Sequence, residues 1–153
     1  MVKKSLHNRI YFDEIIRRIS KISNKSERKW GRMDAAQMLT HCDLILKVPL
    51  QKIHLPETNF LVKMVGIFTK KEIQIFNNGI PHNMPSFKKV IVNFECDFEM
   101  AKKQLLKTLN EYWETYETHH LPKNHVLFGA MEEKDWGFLE YKHLNHHLKQ
   151  FNV

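Results

Sequence analysis

Four stretches of this chain repeat apolar residues every three to four positions, and that helical rhythm limits the fold more than any other feature. The first, about Tyr11 to Ile22, sets Phe12, Ile15, Ile16, Ile19 and Ile22 on one face. The second runs from about Met33 to Val48 and stops before Pro49, whose ring disfavours helical backbone at the preceding residue. The third spans about Phe98 to Thr118, with Ala101, Leu105, Leu109, Tyr112, Trp113 and Tyr116 along its apolar side. The fourth extends from about Glu132 to Gln150, and its opening Glu132, Glu133 and Asp135 suit the positive end of a helix dipole. Gly and Pro, at five each, are too scarce for a turn-rich β-sandwich. A chain of 153 residues closes one core, so a single all-α domain over residues 1–153 is expected.

The connection between the second and third helices is long and uneven. Asn59 to Thr69 reads as a short apolar helix, and Asn77 to Pro85 as an irregular loop broken by Gly79, Pro81 and Pro85. Lys89 to Phe94 reads as a short extended segment. Such a connection suits a four-helix bundle with a crossover between helices 2 and 3 rather than a plain up-down-up-down chain.

The net charge is +7, from 24 Lys and Arg against 17 Asp and Glu. The basic pairs Lys70-Lys71, Lys88-Lys89 and Lys102-Lys103 are not interleaved with aromatics as a single-strand platform requires, and no nucleic-acid motif accompanies them. Solvated faces explain them better. Cys42 and Cys96 stand outside any C-x-x-C spacing and are expected to be buried or half-buried thiols. No stretch approaches 18 apolar residues, and Met1-Val-Lys-Lys-Ser-Leu-His7 has no apolar run, so a cytoplasmic protein without a membrane partner is expected.

Of ten histidines, His7, His54, His82, His119 and His120 follow no usable pattern and are expected at surface or loop positions. His41 differs, because Met38, Leu44, Ile45 and Val48 fall within about 60° of it on the second helix, in the stripe that should face the core. On the fourth helix, His143 and His147 lie about 40° apart on a face shared with Trp136 and Leu139, one turn separated, and two imidazoles so spaced can hold one ion. His143 with His146 is feasible too, whereas His146 with His147 diverge. Trp30-Gly31 and Trp136-Gly137 each place a tryptophan eleven residues before a histidine, His41 and His147 respectively. If that echo is structural, the two helices deliver these histidines at matching heights.

Three stretches carry a family resemblance: Trp30-Gly-Arg-Met-Asp-Ala-Ala-Gln-Met-Leu-Thr-His-Cys42, His125-Val-Leu-Phe-Gly129, and Trp136-Gly-Phe-Leu-Glu-Tyr-Lys-His-Leu-Asn-His-His-Leu-Lys-Gln-Phe-Asn-Val153. They resemble the DinB-like superfamily, and within it the DUF1569 family, a domain of unknown function. Val126 stands where proline is expected and Asn152 where glycine is expected, both outside the histidines. The resemblance implies a DinB-like four-helix bundle with one zinc or nickel ion held by His41 of helix 2 and by His143 and His147 of helix 4. It also implies H-x-x-x-H spacing, which selects His147 over His146, and a homodimer as one common state. Some relatives transfer low-molecular-weight thiols to electrophiles; this branch has no assigned substrate.

Three imidazoles leave a coordination position open, the arrangement of a catalytic site. Such an ion favours a bound thiolate or lowers the pKa of bound water. Glu140, about 60° from His143 and one turn back, is the candidate catalytic neighbour. Asp34 and Gln37 on the His41 face, and His125 near the bundle mouth, are weaker candidates, with helix-end or exposed roles favoured. Tyr141 points away and is assigned to packing. A ferritin-type di-iron centre needs two Glu-x-x-His motifs, and only Glu140-x-x-His143 occurs. No Gly-rich phosphate loop supports a nucleotide enzyme. The expected function is therefore a metal-dependent enzyme on a small molecule, by thiol transfer or hydrolysis; the alternative is a non-catalytic metal-binding or stress-related protein.

Overall fold

Short polar side chains start the helices by taking backbone N–H groups that a first turn leaves without partners. Asn8 caps α1 (Arg9–Ser20), Asp34 caps α2 (Ala35–Leu46), Asn59 caps α3 (Phe60–Phe76) and Asp97 caps α4 (Phe98–Glu117). In α5 (Glu133–Gln150) the carboxylate of Asp135 accepts from the backbone N–H of Glu132 at 3.0 Å. These bounds come from a computed structural model that describes residues 3–82 and 84–153. Among the described residues the fold is mostly helical, with five α-helices and one small antiparallel pair, β1 (Asn124–His125) with β2 (Gly129–Ala130). Asn83, within the expected loop, lies outside the described residues, as do Met1 and Val2.

The core is where the periodic stripes meet. α2 packs mainly along α4, and α5 lies against both α1 and α2. Phe12, Ile15 and Ile19 of α1, Leu39 and Leu46 of α2, Leu105, Leu109 and Tyr112 of α4, and Leu144 and Leu148 of α5 are fully buried together. Cys42 is buried beside Met38, and Cys96 is half-buried; both are free thiols.

Three local expectations are corrected. The apolar helix expected over Asn59 to Thr69 continues to Phe76, because its later polar residues have partners. Lys70 Nζ donates to the Ala130 carbonyl at 2.5 Å and lies 3.8 Å from Asp135, while Gln74 donates to Asp135 at 2.7 Å. Asn77 then ends α3 in the left-handed region, at φ 53°. The segment expected to be extended from Lys89 to Phe94 begins instead in a 3₁₀ turn, Lys88–Val90, and Ile91 after it has extended backbone. Finally, β1 and β2 were not foreseen: two-residue strands are too short to show alternation. One face of α3 remains uncovered, exposing Phe60, Leu61, Val65, Phe68, Ile75 and Phe76. Among the described residues no helix is long and apolar enough to cross a membrane.

Candidate metal centre

His41 reaches the interior from the middle of α2, and His143 and His147 reach it from successive turns of α5. Their ring centroids are 5.1 Å (His41–His143), 4.9 Å (His41–His147) and 4.7 Å (His143–His147) apart. One potential ligand atom from each lies within 4.8 Å of the others. Sequence spacing joins His143 to His147; the crossing of α2 on α5 brings in His41, 102 residues before His143.

Hydrogen bonds decide which ring nitrogens face each other. Nδ1 of His41 lies 2.6 Å from the Val90 carbonyl, which can only accept, so Nδ1 carries the hydrogen and Nε2 keeps its lone pair. For His147 the same result comes through Gln150. The amide nitrogen of Gln150 donates to the Trp30 carbonyl at 2.7 Å, which turns its Oε1 to accept from His147 Nδ1 at 2.9 Å. Gly31, at φ +77°, permits this approach, since a Cβ there would sit 2.6 Å from the Gln150 amide nitrogen.

The Nε2 atoms of His41 and His143 stand 3.2 Å apart. Two imidazole nitrogens bound at about 2.0–2.1 Å to one tetrahedral ion are separated by about 3.3 Å, so this pair fits a shared ion. Burial pushes all three imidazoles below the ordinary histidine value, His147 to about 3, with the neighbouring rings adding to the effect at His143 and His147. Neutral rings at pH 7 are what a metal requires. The two orienting bonds are outer-shell contacts of the kind that metal sites depend on. Gln150→Leu is accordingly expected to weaken metal binding by about 10–100-fold with helix content unchanged, as a chelator competition would measure.

A comparison with known families finds that a model described as "Protein of unknown function (DUF1569)" matches residues 3–153. The chain belongs to the DUF1569 family. The three histidines of this DUF1569 protein all lie inside the match, and so do the residues that orient them. No curated protein and no solved structure matches it.

The other candidates divide clearly. Glu140 is buried in α5, one turn before His143; its Oε2 has no hydrogen-bond partner among the described residues, and burial raises its pKa to about 8. His143 Nδ1, also buried, likewise has none. Asp34 and Gln37 serve the start of α2: they close its capping box, and Gln37 also donates to the Phe94 carbonyl at 2.9 Å. His125 is folded into its own turn, where Nδ1 accepts from the backbone N–H groups of Leu127 and Phe128 at 3.0 and 3.2 Å. Tyr141 packs in the core, its hydroxyl 3.1 Å from a carboxylate oxygen of Glu14. His7 is not a surface residue: it stacks on Tyr116 at 3.6 Å and pairs with the Tyr112 hydroxyl at 2.9 Å.

Asn152 adopts φ +64°, so it meets the left-handed requirement that the expected glycine would serve. Trp30 and Trp136, by contrast, do different work. Trp30 stacks on His82 at 4.0 Å, whereas Trp136 donates to the Pro122 carbonyl at 2.7 Å and packs edge-on against His125. Gln150 and Val90 were missed from the sequence. Gln150 left a signal, being three residues beyond His147 on the same helix. Val90 left none.

Proposed function

We propose that this DUF1569 protein is a metal-dependent enzyme that acts on a small molecule, by thiol transfer or hydrolysis, with His41, His143 and His147 holding one divalent ion. The observation that carries the reading is the convergence of ring nitrogens: partners fixed on the outer side of His41 and His147 leave their Nε2 atoms free to meet His143. Zinc or nickel is the ion we favour, in keeping with the ligand softness of imidazole. A bound ion of this kind makes a thiol more acidic or brings a water pKa toward about 7. Three ligands leave room for a substrate atom.

Glu140 is the residue we assign to proton handling. A carboxyl group with a pKa near 8 holds its proton at pH 7 and can release it to a basic atom. The bundle that supports the site is read as DinB-like, with α1, α2, α4 and α5 forming its four helices and α3 lying in the crossover; their mutual packing supports this. The two free thiols suit a cytoplasmic location.

The test is turnover. Protein reconstituted with zinc or nickel is mixed with cellular thiols and a model electrophile, and separately with a panel of esters and amides. Metal-dependent turnover that falls in Glu140→Gln is the expected outcome. One equivalent of tightly held metal with no turnover on any thiol or hydrolysable substrate would favour the non-catalytic reading instead.

A homodimer is supported by the uncovered face of α3. Leu61, Val65, Phe68 and Ile75 follow a four-three-seven spacing like the seam of a helix pair, with Glu72 at the intervening position. Phe60, Leu61, Val65, Phe68, Ile75 and Phe76 are each 64–74% exposed, an apolar face that a second copy would cover. Light scattering should give a mass of two chains, and Phe68→Asp should return it to one. A single-chain mass for the unaltered protein at high concentration would remove this part of the reading.

A further inference from the structure

His41 and His147 are only 6% and 8% exposed and His143 is half-buried, so an ion reaches the three rings past the side chains that border them. A net charge of +7 makes that harder, because the protein as a whole repels a cation. Yet the chain places two further histidines in line with the site. His82 is exposed, in the loop after α3, with its ring 5.7 Å from that of half-buried His146. His146 in turn lies 5.0 Å from His147. These steps are close to the 4.7–5.1 Å that separates the ligand rings themselves.

We propose that His82 and His146 form an outer two-imidazole station that captures a divalent cation at the surface and passes it to His41, His143 and His147. The inference rests on the metal reading of those three residues. The order of burial gives the path its direction: exposed at His82, half-buried at His146, buried at His147. Affinity gives it a slope, because two imidazoles hold an ion loosely and three hold it tightly. At each step the ion exchanges a bound water or an outer imidazole for an inner one, so no other reactant is needed.

Trp30 holds the station in place. Its indole lies flat against His82, 4.0 Å away and tilted by 13°, and edge-on to His146 at 5.6 Å. The carbonyl of the same residue binds Gln150, which orients His147. Trp30 therefore ties the outer pair to the inner site. The family resemblance selects His147 over His146; the two diverge as adjacent residues, which lets one helix present one imidazole to the surface and its neighbour to the interior.

The test separates rate from affinity. Metal-free protein is mixed rapidly with Co²⁺, and formation of the inner site is followed by the visible absorption of the bound ion. In His82→Ala and His146→Ala, and most clearly in the double variant, the uptake rate should fall about tenfold or more, as loss of a local concentrating station predicts. The final spectrum and the equilibrium Kd should stay the same within about twofold. His82→Cys, which restores a ligand, should recover the rate, whereas His82→Gln should not. Uptake by the double variant at the unaltered rate would overturn the proposal alone, and so would a loss of affinity equal to the loss of rate. No uptake of Co²⁺ by the unaltered protein would overturn both this inference and the metal reading beneath it.

Discussion

Replacing His147 by alanine is expected to reduce bound divalent metal from one equivalent to below about a tenth after dialysis. Loss of an outer partner alone costs a metal site about 10–100-fold in affinity, and loss of a ligand should cost at least the upper end of that range. His147 provides one of three nitrogens, and no spare side chain replaces it at the same angle: His146 points to the neighbouring face of α5. The helices should survive, because the substitution removes a ring at the edge of the core and leaves Leu144 and Leu148 in place. Elemental analysis beside circular dichroism makes the measurement. Unchanged occupancy with intact helices would exclude His147 as a ligand.

The second large effect is a gain. Glu140→Gln is expected to stabilise the metal-free protein by about 3 kcal/mol at pH 7, since a carboxyl raised from 4.5 to about 8 disfavours its charged form by about 1.4 kcal/mol per unit. The sign follows from proton counts. Between pH 4.5 and 8 the folded state keeps the Glu140 proton and the unfolded state does not, so stability contributed by the neutral acid is complete below pH 4.5 and drains away as pH rises toward 8. Half-buried His7 and His125, both lowered to about 4 by loss of solvent, work in the opposite direction: their contribution is present above pH 6.5 and is lost as pH falls toward 4. Subtracting the variant from the unaltered protein cancels the histidines and isolates Glu140. Urea titrations at pH 5, 7 and 8 should show a gap that widens with pH; a gap independent of pH would contradict the assignment.

The comparison with other buried acids explains why Glu140 matters. Asp43 pairs with Lys47 at 2.6 Å and takes the Thr108 hydroxyl at 2.5 Å. Asp135 has Gln74 and, farther off, Lys70. Glu140 has no cation beside it among its described contacts, one turn from His143. A buried, unpartnered carboxyl group costs the free protein stability, and this one lies one turn from His143 on the same helix.

The helices were legible because burying one stripe of an amphipathic helix forces a period on the sequence, as Phe12, Ile15 and Ile19 show. The pair His143 and His147 was legible for the same reason. His41 could be placed on a core-facing stripe, but its meeting with the other two depends on how α2 crosses α5, which no local spacing encodes; family resemblance supplied that step. α3 was read too short because Lys70, Lys71, Glu72 and Gln74 look like the end of an apolar helix. Only the packed structure shows Lys70 and Gln74 anchored on Ala130 and Asp135. Val90 is further from reach still: its contribution is a carbonyl, which every residue has, held in place by a 3₁₀ turn.

The most direct test is a crystal structure of the protein grown with zinc or nickel, with anomalous scattering recorded at the metal edge. One peak about 2.0–2.2 Å from the Nε2 atoms of His41, His143 and His147 is the predicted result. A fully occupied ion bound elsewhere on the chain, with these three rings left uncoordinated, would contradict it.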